Sequence, residues 1–166
     1  MPDATLEALA AFPQQLERLY AAVPAAFRHW APPSWDGIPS EHYTAIEQLC
    51  HVRDIEVDGY HRRFRRALAE TDPLLESIDG DLLAVERRYG EADAEEVLAA
   101  FRAARAETLR IVEGLSPEQW KRTATFEGYG ALTVRSLLHY LSSHDQQHLA
   151  GLQWLLGQIE ADPQRA

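Results

Sequence analysis

His144 and His148 fall four residues apart in the stretch SSHDQQHLAG, Ser142 to Gly151. On a helix, residues at i and i+4 sit one above the other with Cβ atoms about 5 to 6 Å apart, so both imidazoles can reach one ion at roughly 2.0 to 2.1 Å. The same spacing arises in a core that buries two hydrogen-bonded histidines, and seven histidines in a helical chain sometimes pair in this way. Burial favours a metal, because four ring nitrogens among leucines need partners and a shared cation with acceptors behind the rings supplies them. The zincin pattern H-E-x-x-H fits poorly: Asp145 replaces the glutamate, and only residues 149–166 follow His148. A third ligand must come from another element.

His51 is the best candidate for it. One turn before it lies Glu47, and one turn after it lie Asp54 and Ile55. A helical wheel puts His51 at the margin of the apolar stripe, beside Glu47, Asp54, Asp58 and Arg62, which by itself is the place of a surface histidine. His29, His42, His61 and His139 lie in a loop, at a helix start or off the stripe, and are expected to be solvated. Asp145 is a candidate base or an acceptor behind a ligand ring, and Glu47, Asp54 and Glu56 can orient His51; each carboxylate is as readily a solvated partner of an arginine. Cys50 points about 100° away from His51 around the helix and reads as core. RRFRR, Arg62 to Arg66, can hold an anionic thiol or a substrate carboxylate, although a solvated face paired with acids is the default. Trp30, Trp35, Trp120 and Trp154 are expected to fill core or anchor loops.

Four long helical segments must position these residues. The first runs from about Leu6 or Pro13 to Phe27, with Leu16, Leu19, Tyr20 and Val23 at helical spacing, and ends before the turn-rich HWAPPSWDGIPS. In the second, TAIE at Thr44 to Glu47 fits a capping box, and the helix stops near TDPLL because Pro73 cannot continue it. A shorter helical piece is expected from Gly80 to Tyr89. The third long helix covers about Ala92 to Glu113 and buries Val97, Leu98, Phe101, Ala104, Leu109 and Val112, with Gly114 as its stop. Thr123, Thr125 and Phe126 then alternate before two glycines, which predicts a short hairpin or tight loop. The last helix runs from about Thr133 to Ile159, and its stripe of Leu137, Leu141, His144, His148, Leu152, Leu155 and Ile159 carries both histidines. The expectation is an all-α helical bundle, one domain over residues 1–166.

Composition sets outer limits. The chain has 166 residues, 46% of them hydrophobic and 25% charged, which is a globular composition. A formal net charge of -10 repels phosphate backbones, so nucleic acid is not an expected partner. The single cysteine excludes an internal disulfide and a cysteine-based zinc cage. MPDATLEALAAF lacks a basic start followed by an apolar run, and no stretch approaches the ~20 apolar residues that span a bilayer, so the expected setting is cytoplasmic, without membrane association.

At the histidines the sequence resembles the DinB-like superfamily of bacterial metal-binding four-helix bundles, which includes YfiT-like hydrolases, bacillithiol transferases and mycothiol-dependent maleylpyruvate isomerases. The second-helix signature of that group is an aromatic followed by Ser or Thr, then a ligand His with Asp three and Glu five residues later. YTAIEQLCHVRDIE matches it at Tyr43, Thr44, His51, Asp54 and Glu56. The last-helix signature, a Thr-initiated helix leading to H-[DE]-x-x-H-[LIA], is matched at Thr133, His144, Asp145 and His148. Tyr43 departs from the tryptophan of many members, and the long PPSWDGIPS connector can reshape the pocket mouth.

The resemblance implies an up-down-down-up four-helix bundle with a short extra helix and a small hairpin-like loop before the last helix. It also implies a metal site of His51, His144 and His148 with an open coordination position, which is the mark of a catalytic site. Zinc or nickel is the first expectation for the ion, with manganese or iron as alternatives, because three imidazoles accept several metals. The implied activity is a metal-dependent S-transfer of a low-molecular-weight thiol, the thiol being a co-substrate, or hydrolysis of a small molecule. A non-catalytic stress-related or ligand-binding bundle with a structural or absent metal is the competing reading. The expected partner is a small-molecule substrate, and a homodimer is the assembly kept open.

Overall fold

The computed structural model describes residues 3–162. Asp3 opens helix α1 (Ala4–Ala22), its carboxylate accepting from the backbone of Thr5 and Leu6, so the helix begins ahead of both expected starts. Pro13 lies inside it, and the missing N–H does not break it because Leu9, Phe12, Leu16 and Tyr20, spaced by three and four, bury one continuous stripe. A 3₁₀ turn at Ala25–Phe27 leads into the irregular connector.

The capping box at Thr44 forms as the sequence predicts: Glu47 accepts from the Thr44 backbone N–H and from its hydroxyl, each at 2.8 Å. Helix α2 (Ala45–Asp54) continues through a π-helical turn at Ile55–Tyr60 into α3 (His61–Ala69) as one rod. Beyond it, β1 (Leu74–Leu75) was expected only as the end of a helix. It pairs parallel with β2 (Thr123–Phe126), because Leu75 finds burial there and its carbonyl accepts from Glu127. The hairpin of β2 with β3 (Gly130–Thr133) is antiparallel, with Gly128 and Gly130 at positive φ in and after its turn. The remaining elements are α4 (Gly80–Glu86), a 3₁₀ turn at Tyr89–Glu91, α5 (Ala94–Val112), the one-turn α6 (Pro117–Trp120) and α7 (Val134–Ala161). The stretch after Gly114, LSPEQW, holds α6, which the sequence did not announce as a helix, because Ser116 and Gln119 cap it reciprocally.

The long helices pack as a bundle, with α1 against α5 and α7, and α2 against the same two. Its apolar core comes in two clusters. One gathers Phe12, Leu16, Leu49, Phe101, Leu152 and Leu155; the other gathers Leu9, Phe64, Leu75, Val112, Leu137 and Leu141. On three of the four long elements a buried polar residue separates the two: Arg105 on α5, Asp145 and His148 on α7, and His51 and Glu56 on the α2 rod. The bundle therefore carries a polar layer at mid-height, and the layer is where chemistry must be sought.

No described helix is long and apolar enough to cross a membrane. Cys50 is fully buried, and burial pushes its thiol up to about 11. Its alkylation by iodoacetamide at pH 8 is expected to run at least about 100-fold slower in the folded chain than in denaturant, followed by mass spectrometry. Comparable rates would mean the first cluster opens readily.

Candidate metal centre

His144 and His148 sit one turn apart on α7, and His51 faces them from α2. The three Nε2 atoms converge: His51 to His144 is 3.2 Å and His148 to His144 is 3.1 Å. Ligands about 2.1 Å from an ion and 90 to 110° apart stand about 3.0 to 3.4 Å from one another, so this spacing fits a shared cation. The tautomer fits as well. His148 Nδ1 donates to the Gln48 amide oxygen, which leaves the Nε2 lone pair aimed at the other two rings. Gln48 is itself fixed, its amide nitrogen donating to Ser40 Oγ at 2.9 Å and to the Tyr43 carbonyl at 3.3 Å.

Burial keeps the cluster uncharged. His51 is 3% exposed and His148 0%, so the wheel position that made His51 a surface candidate is overruled by α7 and α4 packing over it. Burial, joined by the neighbouring rings, drives His144 down to about 3 and holds His148 well below its ordinary value. His51 is lowered by burial too, against the pull of Glu41, Asp54 and Asp81. Neutral imidazoles are the form that binds metal. His51 Nδ1 is buried with no hydrogen-bond partner, so the carboxylates nominated to orient it act elsewhere. Glu47 caps the helix, Asp54 takes Arg53, Arg87 and the Tyr89 hydroxyl, and Glu56 takes Arg105. Burial alone would raise Asp54, but those donors outweigh it and hold the carboxyl below its usual range.

Glu41 joins the cluster. Its carboxylate oxygens lie 3.7 Å from His51 Nε2 and 3.4 Å from His148 Nε2, with the side chain 44% exposed. One ligand atom from each of Glu41, His51, His144 and His148 falls within 4.8 Å of the others. Sequence reasoning missed Glu41 because it belongs to the irregular connector, where no periodicity assigns a direction. Gln48 was missed for another reason: only the pairing of α2 with α7 shows what its amide reaches.

Gly80, first residue of α4, completes the wall around His51. A Cβ there would stand 2.7 Å from His51 Cε1 and 3.0 Å from the Tyr43 hydroxyl. Neither ring is free to retreat, since Tyr43 donates to Asp81 at 2.9 Å and both rings are buried. Gly80→Ala is therefore expected to weaken metal binding about tenfold or more while leaving the helical circular dichroism unchanged. Unaltered affinity, measured by competition with a chromophoric chelator, would show that the His51 ring tolerates displacement.

Behind the histidines lies a fully buried ion-pair layer. Arg105, 1% exposed, makes paired bonds to Asp145 at 2.8 and 2.9 Å and to Glu56 at 2.7 and 2.8 Å, and donates to the Leu9 carbonyl at 2.9 Å. The Thr108 hydroxyl donates to Glu56, and His61 Nε2 donates toward Thr108 Oγ1 and the Ala104 carbonyl. His61 is thus a buried member of this layer and not the solvated residue expected, because the π turn rotates α3 toward α5. Both Asp145 oxygens are committed to Arg105, and Asp145 does not line the cavity described next. Burial pushes its carboxyl up to about 7 against the pull of Arg105, since one guanidinium serves two carboxylates. Arg105 itself stays charged: burial opposes this, and Glu56 and Asp145 outweigh it. The sequence does carry a signal for Arg105, because Phe101, Arg105, Thr108 and Val112 share the spacing of one buried stripe.

His51 and His144 open onto a cavity of about 340 Å³. Glu41, Tyr43, His51, His144 and Asp81 form part of its wall; Ile55, Tyr60, Arg63, Phe126 and Tyr129 form another part. His29, His42 and His139 are exposed and take no part in it, His42 stacking on Trp35 and His139 meeting the Thr5 hydroxyl.

No curated protein matches the chain. Among solved structures, YfiT from Bacillus subtilis, described as a probable metal-dependent hydrolase with an unusual four-helix bundle topology, is similar in fold: TM-score 0.81 at 19% identity, over 94% of this chain and 86% of that one. The family profile of the DinB superfamily matches residues 8–152, and the chain belongs to that superfamily.

Proposed function

We propose that the chain is a metal-dependent enzyme acting on a small molecule, its ion held by His51, His144 and His148. One observation carries this: the Nε2 atoms of His51 and His148 each come within 3.1 to 3.2 Å of that of His144, and His51 and His144 lie on the wall of a cavity large enough for a small molecule. The fold likeness to a protein described as a probable metal-dependent hydrolase supports it. A divalent ion there would act as a Lewis acid, acidifying a water or a thiol and polarising a substrate oxygen. The chain's own residues do the positioning. Gln48 fixes the His148 ring, and α4 presses Gly80 against His51. Glu41, on the solvent side, is placed to complete the ligand set or to take up a proton released at the open position. Zinc or nickel is the ion favoured, with manganese or iron as alternatives.

Hydrolysis and thiol transfer are separable by assay. Metal-loaded protein should either cleave small esters or amides, or join a low-molecular-weight thiol to an electrophile, and should lose that activity on chelation and regain it on reloading. If neither panel shows metal-dependent turnover, the enzymatic reading falls.

A further inference from the structure

Of the four arginines between Arg62 and Arg66, three behave as a solvated face. Arg62 pairs with Glu76 at 3.3 Å, Arg65 with Glu107 at 2.8 Å and Arg66 with Glu70 at 2.8 Å. Arg63 turns inward and is 5% exposed. The π turn explains the difference. Twelve residues separate His51 from Arg63, which on an unbroken α-helix puts them about 120° apart; absorbing one residue in the π turn brings them to within about 20°. The device that buries His61 against α5 therefore also sets Arg63 on the same cavity wall as His51.

Arg63 is held without being neutralised. Its Nε and Nη2 donate to the Glu76 carbonyl at 3.3 and 3.1 Å, and its guanidinium lies 4.4 Å from the centre of the Phe126 ring and 5.1 Å from that of Tyr60. No described carboxylate forms an ion pair with it. The acids of the same cavity are engaged elsewhere: Asp81 accepts from Tyr43, Asp79 caps α4 through the Leu82 N–H, and Glu41 faces the histidines. Nη1 lies beside Gly59, where a Cβ would stand 2.8 Å from it. A buried cation without a counterion is costly unless an anion completes it, and guanidinium is the group that pairs best with a planar oxyanion.

We propose that Arg63 is the anion-recognition residue of this cavity and that the substrate is a small organic anion. Its carboxylate, or an equivalent oxyanion, pairs with Arg63; its apolar or aromatic body lies against Phe126, Tyr129 and Ile55; its reactive group points to the histidines. This rests on the metal-dependent reading of the same cavity and adds the substrate's charge and shape to it.

The test is binding of benzoate against its neutral isostere benzamide, by calorimetry on metal-loaded protein. The expected result is at least about tenfold tighter binding of benzoate, lost in Arg63→Gln, partly kept in Arg63→Lys and unchanged in Arg62→Gln. Gly59→Ala, which crowds Nη1, should weaken benzoate without affecting metal content. Equal binding of the two probes by the wild type overturns the proposal. So does benzoate binding that survives Arg63→Gln, or that falls equally in Arg62→Gln, which would place the anion in the outer arginine groove. Metal content separates this failure from failure of the metal reading: Arg63→Gln should hold the same equivalents as wild type. Benzoate binding that disappears only in His148→Ala assigns the anion to the ion and sinks the role of Arg63.

Discussion

His148→Ala is expected to abolish stoichiometric metal binding. Wild-type protein loaded with zinc or nickel and desalted should retain about one equivalent by elemental analysis, and the variant less than about a tenth of that, because two imidazoles hold an ion far less tightly than three. Stability should report the same loss. An ion present at about 100 times its dissociation constant stabilises the folded state by about 2.7 kcal/mol, and one kcal/mol moves the midpoint of a chain this size by about 2 to 4 °C. Added metal should therefore raise the wild-type midpoint by about 5 to 10 °C and leave that of the variant unmoved. Gln48→Leu makes the informative comparison. It removes the acceptor behind His148, together with the amide's own bonds to Ser40 and Tyr43, but keeps all three imidazoles, so affinity should fall about 10- to 100-fold without disappearing. Chelation should leave the wild type folded, since the two apolar clusters are built from fully buried leucines and phenylalanines that each contribute about 1.5 to 3 kcal/mol without any ion. A chain that unfolds when stripped has a structural metal, and the open-site reading is then wrong.

Arg105→Met should cost about 3 to 5 kcal/mol of stability by urea denaturation. The side chain is replaced by one that packs, but Glu56 and Asp145 are left 1% exposed with no cation between them. That loss is a large part of the 5 to 15 kcal/mol that holds a typical domain together. Neutralising both acids in the same background, with Glu56→Gln and Asp145→Asn, should restore at least half of it, because the cost lies in uncompensated charge and not in lost volume. A single variant within about 1 kcal/mol of wild type would show that water reaches the layer and that it does not bind α5 to α2 and α7. The site should feel the change too. Asp145 follows His144 directly, so loosening its anchor frees the turn of α7 that presents the ring, and metal affinity should drop along with stability.

The starts of α2 and α7 were legible because capping is local: Thr44 and Glu47 are three residues apart, and Thr133 needs only the turn that follows it. His144 and His148 were legible for the same reason, since spacing of four fixes a shared face on any helix. Cys50 follows that rule and lies in the core. His51 was named by its type and its signature, while its periodicity put it at the edge of the surface. Burial there comes from α7 and from Gly80 of α4, which no wheel of α2 contains. Likewise the sequence shows Arg105 on a buried stripe but not the two carboxylates, 40 and 49 residues away, that let it stay charged there.

Beyond the π turn the wheel fails altogether. Its α-helical phase put His61 and Arg63 on solvated faces, and a single absorbed residue rotated both inward. By itself, then, the sequence determined the long helices, their apolar faces up to the π turn, the local pair on α7 and the superfamily, all of which follow from contacts within one or two turns or from short signatures. The tertiary structure alone decided that His51 is buried against that pair, that Glu41 and Gln48 serve it, and that Asp145 faces Arg105 and not the cavity. Each of those depends on the phase and crossing of two separate helices, or on the path of a loop, and residues distant in the chain carry no local periodicity that records them.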